Sequence, residues 1–176
     1  NEKILFLEEA VGPSNPKGFK ELRKKLDIDI CGGEVITTTY EMLERISEEI
    51  YDFVQPDASV IGGMKAVVDI FESSKKKGID TVVHAWGGPI AIMANYHCAF
   101  ACNGRLVEYP MIPFEPEKDM FSNQRKIING RVLRPSEHGI GITFNENIEK
   151  KFKFDETAVY SCVIVDRGQP KDDYWK

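Results

Sequence analysis

Ile28-Asp29-Ile30-Cys31-Gly32-Gly33-Glu34, followed by Thr37-Thr38-Thr39-Tyr40-Glu41, is the stretch on which the fold turns. The apolar run Ile28 to Cys31 has the length of a buried strand, and it ends in a glycine pair and a carboxylate. A helix signal starts almost at once. Thr38 and Glu41 make a Ser/Thr-x-x-Glu capping box, and Leu43, Ile46 and Ile50 give the segment from about Thr39 to Tyr51 an apolar stripe.

The same unit recurs on both sides. Upstream, Ile4 to Leu7 reads as a strand and Pro16 to Leu26 as a basic amphipathic helix. Downstream, Asp52 to Val54 is a short strand. The next helix carries Met64, Val67, Val68 and Phe71 at helical spacing and ends in Lys75-Lys76-Lys77-Gly78, cations at the negative end of the dipole followed by a C-terminal glycine. Thr81 to Val83 then reads as strand, Pro89 to Cys102 as helix and Leu106-Val107 as strand. Alternation with connections this short predicts parallel strands joined by crossovers, either an open doubly wound sheet or a (β/α)8 barrel. Beyond Pro110 the pattern breaks into short polar and aromatic pieces with turn signals at Asn129-Gly130 and at Gly139 and Gly141, which reads as a segment wrapping back over the molecule.

The chain has 176 residues, 42% of them apolar and 29% charged, which excludes disorder and a fibrous class. No apolar run reaches the roughly 20 residues of a membrane helix and no signal-peptide pattern opens the chain, so neither a membrane nor a secretory route is expected. A net charge of -5, with no basic stripe, argues against a nucleic-acid partner. Cys31, Cys98, Cys102 and Cys162 form no CxxC pair and read as reduced thiols, hence a cytoplasmic location. Asn1 with a strand beginning at Ile4 reads as a chain entered partway through a domain.

What stands after each strand carries the chemistry. Glu8 follows Leu7, Glu34 follows Gly32-Gly33, Asp57 follows Gln55-Pro56, His84 follows Val83, and Glu108 follows Val107. In parallel α/β folds the C-terminal strand ends share one mouth, so five successive ends bring four carboxylates and an imidazole to one rim. Converging carboxylates repel unless a cation lies between them, and oxygen-only donors favour Mg2+ over zinc. Glu8 and Glu34 are the expected ligands. The reference pKa of histidine suits a general base, and Asp57 on the neighbouring strand end can fix the tautomer of His84. No GxGxxG or GxxxxGK[ST] follows any strand, so a nucleotide-binding domain is disfavoured.

The segments Phe6-Leu7-Glu8-Glu9, Gly32-Gly33-Glu34, Gln55-Pro56-Asp57 with Gly62-Gly63, and His84 followed by Glu108 resemble the closing strand ends, through the eighth, of the barrel in the mandelate racemase subgroup of the enolase superfamily. The intervals agree: 26 residues from Glu8 to Glu34, 23 to Asp57, 27 to His84 and 24 to Glu108. The resemblance implies the C-terminal half of a (β/α)8 barrel over 1–112, then a return segment and tail over 113–176 directed toward a capping domain. The first barrel half and the capping domain have no counterpart here, nor have the family's Asp metal ligand on the third strand and its lysine-bearing second strand. The residues are therefore expected to work only with the remainder of the barrel present. Residues 155–176 match no part of the family pattern.

By position, Glu8 and Glu34 resemble Mg2+ ligands, with spacing favouring Glu8 over Glu9. Asp57 and His84 resemble the subgroup's dyad, Glu108 the acid that hydrogen-bonds a substrate carboxylate, and Trp86 a candidate pocket wall. The implied reaction is removal of the proton alpha to a carboxylate, in a homo-oligomer. The Gln55-Pro56-Asp57 and His84-Ala85-Trp86-Gly87-Gly88 stretches resemble acid-sugar dehydratases, with racemase, epimerase and cycloisomerase as alternatives. An inactive half-barrel serving as a binding or assembly module is the non-enzymatic alternative.

Overall fold

A computed structural model of the chain describes residues 3–110, 127–144, 146–154 and 156–157. Five parallel strands, β1 (Phe6–Glu8), β2 (Asp29–Gly32), β3 (Phe53–Val54), β4 (Asp80–Val83) and β5 (Leu106–Val107), lie in strict sequence order, each bonded to the next. Helices α1 (Pro16–Lys25), α2 (Thr39–Ser47), α3 (Met64–Lys77) and α4 (Pro89–Ala101) connect them. A doubly wound sheet reverses its strand order at a switch point; this one never does. Its strands run as an arc of a barrel, and that decides between the two architectures the periodicity left open.

Alternation along the strands separates two apolar layers. Cys31, Phe53 and Val82, with Phe6 and Leu106 against them, form a small inner cluster. Ile30, Val54 and Val83 face the other way, into the main core with Phe19, Ile46, Ile70, Ile92 and Tyr96 from the helices. Each of these large side chains, fully buried, contributes roughly 1.5–3 kcal/mol. At the N-terminal ends of the strands the Asp52 carboxylate accepts from the Ile30 N–H at 2.9 Å and from Arg23 Nε at 2.9 Å, which ties α1 to β2 and β3.

Of the helix signals in the sequence, the Thr38 hydroxyl accepts from the Glu41 N–H and Gly78 closes α3 in the left-handed region at φ 71, while the Glu41 carboxylate pairs with Arg45. Asn15, which the sequence reading did not pick out, caps α1. Three details differ from the sequence reading. Ile4 and Leu5, expected in the first strand, precede it and are 63% and 53% exposed, because β1 has one bonded neighbour among the described residues. Helix α2 stops at Ser47 rather than near Tyr51, since Glu49 turns left-handed at φ 54. The core face of α3 is Ala66, Val67, Ile70, Phe71 and Ser74, leaving Met64 40% exposed.

After β5, strands β6 (Ile127–Ile128) and β7 (Arg131–Val132) form an antiparallel hairpin across Asn129-Gly130, both with positive φ as a two-residue type I′ turn requires. Helix α5 (Glu146–Lys151) follows. Val132, Ile140 and Ile142 pack against the main core, so this part of the return segment folds onto the sheet-and-helix body. The expectations for residues 111–126 and for the tail from 158, Cys162 included, lie outside the described residues. Among the described residues no helix is long and apolar enough to cross a membrane, and Cys31, Cys98 and Cys102 are free thiols.

Candidate active site

Each strand delivers its functional residue at or just beyond its C-terminal end, directly in β1, β4 and β5 and through a short turn after β2 and β3. Glu8 is the last residue of β1. Beyond β2, Gly33 sits at φ 114, where a Cβ would lie 2.6 Å from Met42 Cε, and this turn sends Glu34 to the rim. Beyond β3, Gln55 is wholly buried and Asp57 is 2% exposed. His84 and Glu108 directly follow β4 and β5. We expect Gly33→Ala to destabilise the fold by about 1–3 kcal/mol, because the substitution is both strained and crowded; chemical unfolding of the two proteins measures it.

His84 is at the centre of the group. Its Nδ1 lies 2.7 Å from Asp57 Oδ2, and its Nε2 lies 3.4 Å from Glu34 Oε2 and 3.8 Å from Glu108 Oε2. Glu108 Oε2 also accepts from the Ala85 N–H at 2.7 Å, and its carbonyl accepts from the Tyr96 hydroxyl at 2.7 Å. The imidazole thus has a carboxylate behind it and two carboxylates before it.

Charge accounts for the titration behaviour. Burial alone would lower the His84 pKa, but the Asp57 hydrogen bond and the charges of Glu108, Glu34 and Asp57 outweigh it and hold the pKa up. Burial would raise Asp57, yet bonds from His84, Asn95 and Ser59 keep its carboxyl below the usual range. Glu8 is raised by burial and by Glu108, against the pull of the Gln55 amide and His84. That amide lies near Glu8 without making a hydrogen bond of ordinary geometry. Glu34 is raised by burial, then lowered by His84 and raised again by Glu8, Glu108 and Asp57. The Cys31 thiol beneath them is pushed up by burial and by Glu8, Glu9, Glu108 and Glu34, so it stays protonated. The mouth therefore gathers an excess of negative charge, with Asp57 buried, Glu34 and Glu108 half-buried, and Glu8 exposed at the end of β1.

Glu8 and Glu9 take different positions. Glu9 turns to φ 42, its N–H donates to the Cys31 carbonyl, and its Oε1 accepts from the Gly33 N–H at 2.7 Å. It is bound up in the Gly32–Gly33 turn, whereas Glu8 lies in the field of Glu108 and His84. Trp86 stands on the loop after β4, 47% exposed. His97 is half-buried in α4 with its ring edge-on to Phe100, centroids 6.5 Å apart.

The sequence reading missed several supporting residues. Ser59 donates to Asp57 Oδ1 through both backbone and hydroxyl, and Asn95 Nδ2 donates to the same oxygen. A wholly buried asparagine within the apolar helix Pro89–Ala101 was the available signal, since Asn is disfavoured in helix interiors. Arg45, 8% exposed and bonded to the Tyr51 hydroxyl, is a buried charge where Leu43 was expected to define the apolar face.

Among the described residues no three His, Cys, Asp or Glu side chains converge closely enough to hold an ion. The two glutamates Glu8 and Glu34 nevertheless fit part of a hard-cation site. Both offer only oxygen donors, and both carry a charge disfavoured where they stand, which a cation would relieve.

The chain resembles known enzymes in sequence and in fold. Arabinonate dehydratase from Saccharolobus solfataricus is 26% identical over 150 residues, 85% of this chain and 40% of the dehydratase. The 3,6-anhydro-D-galactonate cycloisomerase from Zobellia galactanivorans superposes with a TM-score of 0.75 at 28% identity, over 84% of this chain and 42% of that one. An enolase from Pantoea ananatis, solved with bound D-gluconate and Mg, gives a TM-score of 0.73 at 28% identity, over 84% and 36%. The chain thus spans about 40% of the length of such relatives. Residues 1–148 match the family model described as Enolase C-terminal domain-like, and with five strand ends arrayed as above the chain belongs to that family, in the mandelate racemase subgroup.

Proposed function

We propose that the chain supplies the base and two metal ligands of a Mg2+-dependent enzyme that removes the proton alpha to the carboxylate of a sugar acid and eliminates water. The observation that carries this is the 2.7 Å pair between His84 Nδ1 and Asp57 Oδ2, set so that Nε2 faces Glu34 and Glu108. Glu8 and Glu34 would hold Mg2+, which when bound supplies positive charge against the substrate carboxylate.

The protein's own groups do the rest. With Nδ1 protonated toward Asp57, the Nε2 lone pair faces the mouth and accepts the alpha proton. The imidazolium so formed is stabilised by Asp57, whose carboxyl is held ionised by its donors. In the metal-free protein Glu34 and Glu108 help to keep a proton on His84, so neutralising charge at Glu34 frees Nε2 to act as base. Glu108, its Oε2 pinned by the Ala85 N–H, is positioned to meet a carboxylate oxygen of the substrate, where it would have to carry a proton in order to donate to the charge that develops there. The remaining strands of the barrel and the capping domain, which the relatives' extra length accommodates, would complete the site.

Dehydration is favoured because arabinonate dehydratase and L-talarate/galactarate dehydratase align over 85% and 84% of the chain, although D-galactarolactone cycloisomerase aligns over 85% as well. Cycloisomerisation remains a second reading on the structural likeness to the Zobellia enzyme. The test is a panel of aldonic, aldaric and anhydro-aldonic acids offered to the full-length protein with Mg2+. A 2-keto-3-deoxy acid from an aldonic or aldaric acid is expected. Turnover of an anhydro acid alone would favour the cycloisomerase reading, and no turnover of any acid would count against both.

A further inference from the structure

We propose that Asn95 is a positioning residue for the base: from helix α4 it locks the Asp57 carboxylate in the one orientation that keeps the proton of His84 on Nδ1. The inference rests on the reading of Asp57 and His84 as the proton-abstracting pair.

The Asn95 side chain is wholly buried, and both its amide nitrogen and its amide oxygen are hydrogen-bonded. Its Nδ2 donates to Asp57 Oδ1 at 2.8 Å, and its Oδ1 accepts from the Ala58 N–H at 2.7 Å. One amide thus grips both the carboxylate and the backbone of the next residue. The assignment of its oxygen and nitrogen is fixed by chemistry, since an N–H only donates and a carboxylate only accepts. Flipping the amide would break both bonds.

The bond to Asp57 does more than fill a vacancy in the core. Asp57 Oδ1 already receives the Ser59 N–H at 2.8 Å and the Ser59 hydroxyl at 2.7 Å, a local turn that any aspartate can make. The Ser59 donors lie two residues along the same loop and move with it. Asn95 comes from 38 residues away, on the helix that follows β4, the strand that ends at His84. Asp57 is therefore fastened from the same strand–helix unit that presents the imidazole, with a further tie in the His84 N–H donating to the Pro56 carbonyl at 3.1 Å. With Oδ1 saturated by three donors, only Oδ2 is left to face Nδ1. Rotation that would turn Asp57 away, and let His84 carry its proton on Nε2, is blocked.

The test is long-range 1H–15N NMR of the His84 ring in full-length protein, above the pH at which the ring titrates, for wild type, Asn95→Leu and Ser59→Ala. Wild type is expected to show the Nδ1–H tautomer. In Asn95→Leu, a near-isosteric change that removes the donor, the Nε2–H form should rise about tenfold, the effect of losing one hydrogen bond to a charged group. Ser59→Ala, which leaves Asn95 and the Ser59 N–H in place, should keep the wild-type tautomer. A folded Asn95→Leu protein with an unchanged Nδ1–H tautomer overturns the proposal, as does a Ser59→Ala shift equal to that of Asn95→Leu. A wild type lacking the Nδ1–H form overturns the dyad reading itself, a distinguishable failure. Should Asn95→Leu not fold, hydrogen exchange of the wild-type Asn95 amide decides. Strong protection supports the lock, and exchange at the rate of a free asparagine overturns it.

Discussion

Replacing His84 by Asn should lower exchange of the substrate's alpha proton, on the face this residue serves, by roughly 10²–10⁴-fold, the usual contribution of a positioned general base. Asparagine keeps a polar side chain near Asp57 but has no nitrogen lone pair able to accept a proton at neutral pH. The oxygen donors of Glu8 and Glu34 are untouched, so Mg2+ should still bind. Solvent-deuterium exchange followed by NMR, beside a Mg2+ titration, reads both quantities. Undiminished exchange at that face in the variant would rule out His84 as the base, whatever happened to overall turnover.

Glu34→Gln should fail in the complementary way. It keeps the shape of the side chain and removes the charge, so Mg2+ affinity should fall, and the rate at any attainable Mg2+ should drop by about 10²–10³-fold, as when a stabiliser of developing charge is lost. The metal-free variant should be no less stable than wild type and should melt slightly higher. Burial and the charges of Glu8, Glu108 and Asp57 raise the pKa of Glu34, so its ionised form is a net liability to the fold without a cation. The raised carboxyl binds a proton more readily folded than unfolded, so the liability is present above the unfolded pKa and disappears as pH falls below it. Melting curves with and without Mg2+ check the pair of effects. A variant that binds Mg2+ as wild type does, or that melts well below it when metal-free, would remove Glu34 from its assigned role.

The strand-and-helix order was legible because it is written in local patterns: the capping box at Thr38 and Glu41, the Lys75–Gly78 stop, and apolar runs ending at Glu8, Glu34, Asp57, His84 and Glu108. Barrel curvature was not, since periodicity is the same in an open doubly wound sheet. It took the unbroken strand order, or the resemblance in motif spacing, to separate them. The candidate site was legible at its chemical groups and opaque in its supports. Asn95 meets Asp57 across 38 residues, and Glu9 meets the Gly33 N–H across 24. Neither pairing has a local signature, because each depends on how a helix or turn packs after the sheet has formed. Arg45 likewise reads as a solvent-facing helix residue until Tyr51 folds beneath it.

On the proposed function, Glu8 and Glu34 share one cation on the rim where His84 waits. The most direct test is a crystal structure of the full-length protein grown with Mn2+ in place of Mg2+, which takes the same oxygen donors, with the ion located by its anomalous scattering. One peak within coordination distance of oxygens from both Glu8 and Glu34, on the Nε2 side of His84, is the predicted result. A peak that touches neither glutamate, or one separated from His84 by the sheet, would contradict the account.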